Sequence, residues 1–202
     1  MIDPIQLCSN ALSTSILEGL REVIGQQDYD AALQAVGVSP LDGIKTGVIS
    51  NTDLLKLRNI CVDLYGDLST RGIAFRSGQS AFHYFLKEFA DQAGFEELDF
   101  RLLPLKKRIF TGMQSIAAIV QQDCGLEAKI TQEEKKWIVE IASCGSEGRK
   151  VDQDVTCGLI LGFLKEYLGW ISGGKSYFFQ ETACREIGKT ACVFDIAQNP
   201  ID

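Results

Sequence analysis

The spacing of the apolar residues changes once along this chain, and that change restricts its possible folds more than any other feature. From Asn10 to Gly25, Leu12, Ile16, Leu20 and Ile24 recur every fourth residue, as on one face of a helix, and Gly25 supplies a stop. A shorter helix over 28–36 ends at Gly37, before the turn signal "SPLDG". A third opens at "SNTD", Ser50 to Asp53, and carries Leu54, Leu57, Cys61, Leu64, Tyr65 and Leu68 at helical spacing. The stretch "STRGIAFRSG" reads as a loop. A fourth helix over 79–93 turns Phe82, Phe85, Leu86 and Phe89 inward, and a fifth from Pro104 to about Gln122 does the same with Ile109, Met113, Ile116 and Val120. Beyond Gly125 the pattern alternates. "LEAKITQEEKKWIVEIAS" predicts two strands around a polar turn, "SYFFQET" and "ACVFDIA" predict a closing hairpin, and between them a helix over about 154–168 is apolar nearly all round. Helices followed by strand, strand, helix, strand, strand predict an α+β fold, an antiparallel sheet of about four strands covered by helices.

The chain has 202 residues, 46% hydrophobic and 23% charged, enough to bury a core without covalent staples. With no Pro, Gly and Ser linker and no repeat, the organisation expected is a helical arm over 1–45 and a single domain over 46–202. The arm's stripe is too short for a core of its own, which predicts a homodimer joined through it. A net charge of −7 argues against nucleic acid as the main partner. The basic cluster "PLKKR", Pro104 to Arg108, reads as a solvated first helical turn. No apolar run reaches the length of a membrane span, and "MIDPIQLCSN" lacks a basic leader segment, so a cytoplasmic location is expected. Seven cysteines, an odd number, are then expected to stay reduced or to hold metal.

"GWISGGKS", Gly169 to Ser176, satisfies the phosphate-loop expression, but it follows a helix and enters a strand, the reverse of the order that puts phosphates at a helix N-terminus. It is read as a glycine helix stop. In "ETACREIGKTACVF", folding a hairpin about Gly188 brings Glu181, Cys184 and Cys192 together, and Cys157 reaches them from the start of the preceding helix. Three thiolates and one carboxylate suit a closed tetrahedral zinc site. Small core cysteines are the other reading, and spacing alone leaves both open.

"WIVEIASCGSEGRK", "CGLILGFLKEYLGW" and "YFFQETACREIGKTACVF" together resemble the vinyl-4-reductase domain family, with Cys157, Gly162, Phe163, Glu181, Cys184, Gly188, Cys192 and Phe194 on its pattern. The resemblance implies the ligand-binding fold of TRAPP trafficking subunits and of phenol-responsive sensor domains. It also implies a structural zinc on Cys157, Glu181, Cys184 and Cys192. The function expected is a non-catalytic sensor or carrier domain for an apolar, ring-containing small molecule, aromatic or tetrapyrrole. Phe85, Phe110, Met113 and Trp137 are expected to line its cavity, with Arg76 or His83 giving a polar contact. Two other readings are an interaction scaffold of the trafficking type and an accessory or enzyme of chlorophyll-type vinyl reduction. Cys144 is expected to be a free thiol or a substitute ligand.

Overall fold

A computed structural model describes residues 10–37, 51–142, 157–185 and 188–201. Cys144 and the expected helix start at Asp154 lie outside them. Among the described residues the order is α1 (Asn10–Ile24), α2 (Gln26–Val36), α3 (Asn51–Tyr65), α4 (Asp67–Phe89), α5 (Leu98–Arg101), α6 (Leu105–Cys124), β1 (Ala128–Gln132), β2 (Lys136–Ile141), α7 (Gly158–Ser172), β3 (Ser176–Ala183) and β4 (Cys192–Ile201). The strands form one antiparallel sheet in the order β1-β2-β4-β3. This is the α+β architecture that the change of period predicts. Along β4 the alternation is kept: Cys192, Phe194, Ile196 and Gln198 face inward, with Trp137 of β2 opposite Ile196.

The expected loop over 69–78 is helical, and α4 runs unbroken through it. Two glycines there weaken the local signal, each by about 0.8–1.0 kcal/mol relative to alanine. Tertiary packing overrides that deficit, because Thr70, Ile73, Ser77 and Ala81 form a buried stripe at helical spacing. Gly78 is required by the neighbour it meets: a Cβ there would stand 2.0 Å from the Leu159 carbonyl oxygen of α7. The reciprocal contact is at Gly162 of α7, whose Cβ would stand 1.9 Å from the Phe75 carbonyl oxygen. α4 and α7 therefore cross backbone to backbone.

The main core is aromatic. Phe82, Phe85, Phe89, Phe95, Phe100 and Tyr167 are buried in it with Trp137 and Phe194 of the sheet. A smaller cluster of Leu17, Tyr29, Ala32, Leu33 and Leu57 joins α1, α2 and α3. α1 also lies directly on α4, where a Cβ on Gly19 would meet the Ser77 carbonyl oxygen at 2.5 Å.

The basic cluster departs from its expected role. Lys106 and Lys107 are exposed, but Arg108 is half-buried and donates to the Arg101 and Ile171 carbonyl oxygens at 3.1 Å each. It ties α6 to the end of α7. "GWISGGKS" ends α7 as expected, with Gly173 in the left-handed conformation at φ 74°.

Candidate functional site

A cavity of about 360 Å³ lies between the helices and the sheet. α1 contributes Leu12, Ile16, Leu17 and Leu20, and α3 contributes Leu54, Leu57 and Cys61. The α4 stripe supplies Thr70, Arg71, Ile73, Ser77 and Ala81. Ile116 and Val120 of α6, Ile130, Val139 and Ile141 of the sheet, and Ile160, Phe163 and Leu164 of α7 close it. Its size is within the range of small-molecule pockets, and its wall is almost wholly aliphatic.

Polar groups in this wall are few. Arg71 donates to Asp67 from Nη2 at 2.7 Å, and Arg58 pairs with the same carboxylate at 3.2 Å. Thr70 donates back to the Gly66 carbonyl oxygen at 2.8 Å. Ser77 Oγ is buried and has no hydrogen-bond partner among the described residues. Burial pushes the Cys61 thiol up from its ordinary range, so it stays protonated.

The expected ligand contacts are dispersed. Met113 lines the cavity. Phe85 and Trp137 are fully buried in the aromatic core instead, Phe85 stacked on Phe89 with centroids 4.9 Å apart. Phe110 packs against that core from its edge. Arg76 is exposed. His83 is 55% exposed on the outer side of α4, with Nε2 3.1 Å from the Glu166 carboxylate. The aromatic residues expected at the cavity pack on one another, which leaves the aliphatic positions of α1, α3 and α4 to form it. The helical stripe of α1 carries that signal.

Cys157, Glu181, Cys184 and Cys192 do lie together, with one ligand atom of each within 4.8 Å of the others. Cys157 caps α7, Glu181 sits on β3, Cys184 follows that strand and Cys192 starts β4. The Cys157 Sγ is 3.5 Å from Cys192 Sγ and 3.9 Å from Cys184 Sγ. The Cys157 N–H donates to Glu181 Oε2 at 2.8 Å, a side-chain acceptor at a helix N-terminus, while Glu181 Oε1 is buried without a partner. Cys61 is a free thiol. Cys124 is disulfide-bonded, against the expectation that the thiols stay reduced.

No family model and no curated protein matches the chain. Solved structures do. One is an H-NOX protein from S. oneidensis in its Fe(II)NO ligation state, with a TM-score of 0.67 and 10% identity, covering 96% of this chain and 99% of that one. A second, from work on heme distortion in the H-NOX family, has a TM-score of 0.67 and 13% identity over 96% of this chain and 97% of that one. A third, an oxygen-binding H-NOX domain related to soluble guanylate cyclases, has a TM-score of 0.61 and 14% identity over 93% and 94%.

The chain has the H-NOX fold. This corrects the vinyl-4-reductase and TRAPP resemblance, and the vinyl-reduction role that rested on it. The motif residues Cys157, Gly162 and Gly188 serve local geometry, so they suggested a family without specifying one. Structural zinc falls with that resemblance, since these neighbours are described with heme or iron, and the thiol cluster rests on its own geometry alone.

Haem, the group this fold suggests, is not fitted by the described residues. Haem iron is held by His, Cys thiolate, Met or Tyr. The chain's single histidine is His83, which faces away from the cavity. All five tyrosines are described and none lines the cavity. Of the sulfur side chains that do, Cys61 is held protonated, Cys124 is in a disulfide, and Cys157 belongs to the thiol cluster. Among the described residues Met113 remains as a lone, weak ligand.

Proposed function

We propose that this protein is a non-catalytic binding domain, a sensor or carrier, whose small-molecule ligand is apolar and sits in the cavity between α1, α3, α4, α6 and the sheet. The observation that carries this reading is the aliphatic wall around about 360 Å³. Burying a ligand's apolar surface there contributes about 25 cal/mol per Å² removed from water. Polar groups for chemistry are sparse in that wall: among the described residues it holds no carboxylate and no histidine to act as a general base. Native mass spectrometry of freshly purified protein is the test, with a retained small molecule expected. Protein that retains nothing, and that shows no saturable binding of an apolar fluorescent dye, would end the reading.

The cluster of Cys157, Glu181, Cys184 and Cys192 is proposed as a cation site with no metal assigned. Its support is the buried, unpartnered Glu181 Oε1 beside three thiols. A homodimer or an interaction scaffold has a different support, the exposed Leu64 and Leu68 at the junction of α3 and α4, the latter 83% exposed. Sedimentation at micromolar concentration separates dimer from monomer.

A further inference from the structure

If the cavity binds a small molecule, as proposed above, the placement of charge along its wall says which kind. On α4 the lining runs from Arg71 to Ala81, which at the helical rise of about 1.5 Å per residue is about 15 Å. The two ends differ. At the Ala81 end the wall is buried and shut, because α1 crosses α4 there and a Cβ on Gly19 would stand 2.7 Å from the Ala81 nitrogen. At the Arg71 end the wall is partly open and cationic. Arg71 of α4 and Arg58 of α3 have side chains 26% and 22% exposed, and both pair with the one carboxylate of Asp67, itself 46% exposed. A guanidinium offers five N–H donors in a planar fork, so it can hold more than one carboxylate at a time. Among the described residues no carboxylate lines the cavity, and between its ends the wall is aliphatic. An anion at the shut end would lose its hydration without compensation. At the open end it keeps water on one side and meets two cations on the other.

We infer that the cavity takes an aliphatic carboxylic acid, bound as its anion, with the carboxylate at Arg58 and Arg71 and the chain running inward toward Ala81. The stem lies along Leu12, Ile16, Ile116 and Val120, which line the same space. An extended chain advances about 1.2 Å per bond, from 3.3–3.6 Å per three-bond residue, so about 12 carbons span the lined length of α4. Apolar burial supplies most of the affinity, and the two arginines set the direction of entry and select the acid over the alcohol of the same length.

The test is isothermal titration calorimetry of the full chain with dodecanoate, dodecanol and butyrate. Dodecanoate is expected to bind about tenfold more tightly than dodecanol, the scale of one hydrogen bond to a charged group, and butyrate to bind weakly for want of a stem. Arg71→Gln and Arg58→Gln should each weaken dodecanoate about three- to tenfold and leave dodecanol unchanged. The dodecanol arm shows that each variant still folds around an intact cavity. Raising the ionic strength from about 0.05 to about 0.5 M should weaken dodecanoate alone, since the paired charges are partly exposed. Dodecanol binding as tightly as dodecanoate, an equal loss of both in the arginine variants, or butyrate matching dodecanoate would each overturn the inference and leave the binding reading in place. Binding of an apolar fluorescent dye without either twelve-carbon probe would do the same. If neither the probes nor the dye binds, the proposed function fails together with the inference.

Discussion

Gly162→Ala adds one methyl group where α7 crosses α4, and its effect is decided by two opposing terms. Alanine is the better helix former by about 0.8–1.0 kcal/mol, which favours the variant. Against this, the new Cβ would stand 1.9 Å from the Phe75 carbonyl oxygen, 2.8 Å from the Phe75 carbonyl carbon and 3.1 Å from the Gln79 nitrogen. Ordinary contact begins at 3.4 Å, so the first of these is short by about 1.5 Å, and all three atoms are backbone. No rotamer change relieves it; one helix must move. Overpacking costs about 1–3 kcal/mol where side chains can yield and more where they cannot. A net loss of about 2 kcal/mol follows, which for a chain of this size lowers the melting temperature by about 4–8 °C. Two controls carry the same chemistry without the contact. Gly169→Ala in α7 and Gly72→Ala in α4 meet nothing within 4 Å, and each should raise the melting temperature by about 2–4 °C. Thermal unfolding followed by circular dichroism reads all three. Gly162→Ala melting at or above the wild type, or the same sign in all three variants, would refute the backbone crossing.

Ala117 lines the cavity, so Ala117→Leu should fill part of it, stabilising the ligand-free protein by up to about 2.4 kcal/mol at about 0.8 kcal/mol per added carbon, and should weaken binding of an apolar dye; a destabilised variant that still binds would contradict the cavity. Stability should fall at alkaline pH. Tyr29 is pushed up to about 12, first by burial and then by Glu18, and Tyr65 to about 12, first by its hydrogen bond to Asp28 and then by burial. Both raised values keep the folded state protonated, so their contribution is full below about pH 10, where unfolded tyrosine begins to ionise, and is lost as pH rises through about 12. Urea midpoints across that window should drop, and Tyr65→Phe should make the drop shallower; an unchanged slope in the variant would remove Tyr65 from the account. At the thiol cluster, Glu181→Gln removes the charge beside three cysteines. Elemental analysis of protein purified without chelator should find a bound metal in the wild type and less in the variant; no metal in either would retire the cation site.

The sequence by itself determined the element types and their order, because helical and alternating spacings are local properties of the chain. The α1 stripe at Leu12, Ile16 and Leu20, the alternation around Trp137 and the hairpin that joins Glu181, Cys184 and Cys192 were all legible that way. Cys157 could be added to the set because α7 and the hairpin are consecutive elements. Only the tertiary structure decided what each apolar face meets. Spacing says that Phe85 and Trp137 point inward, but inward held two destinations, a solid aromatic core and an aliphatic cavity, and the choice depends on how α4 crosses α7. That crossing is invisible locally, since Gly78 reads as a helix breaker until the Leu159 carbonyl opposite it is known. The same holds for α1, whose stripe lines the cavity together with residues of α3 and α4. Family likeness drawn from glycines and cysteines failed for a related reason: turns, close helix crossings and thiol clusters constrain those residue types in many folds, and the path of the whole chain, shared with H-NOX structures at 10–14% identity, is set by packing that leaves little trace in residue identities.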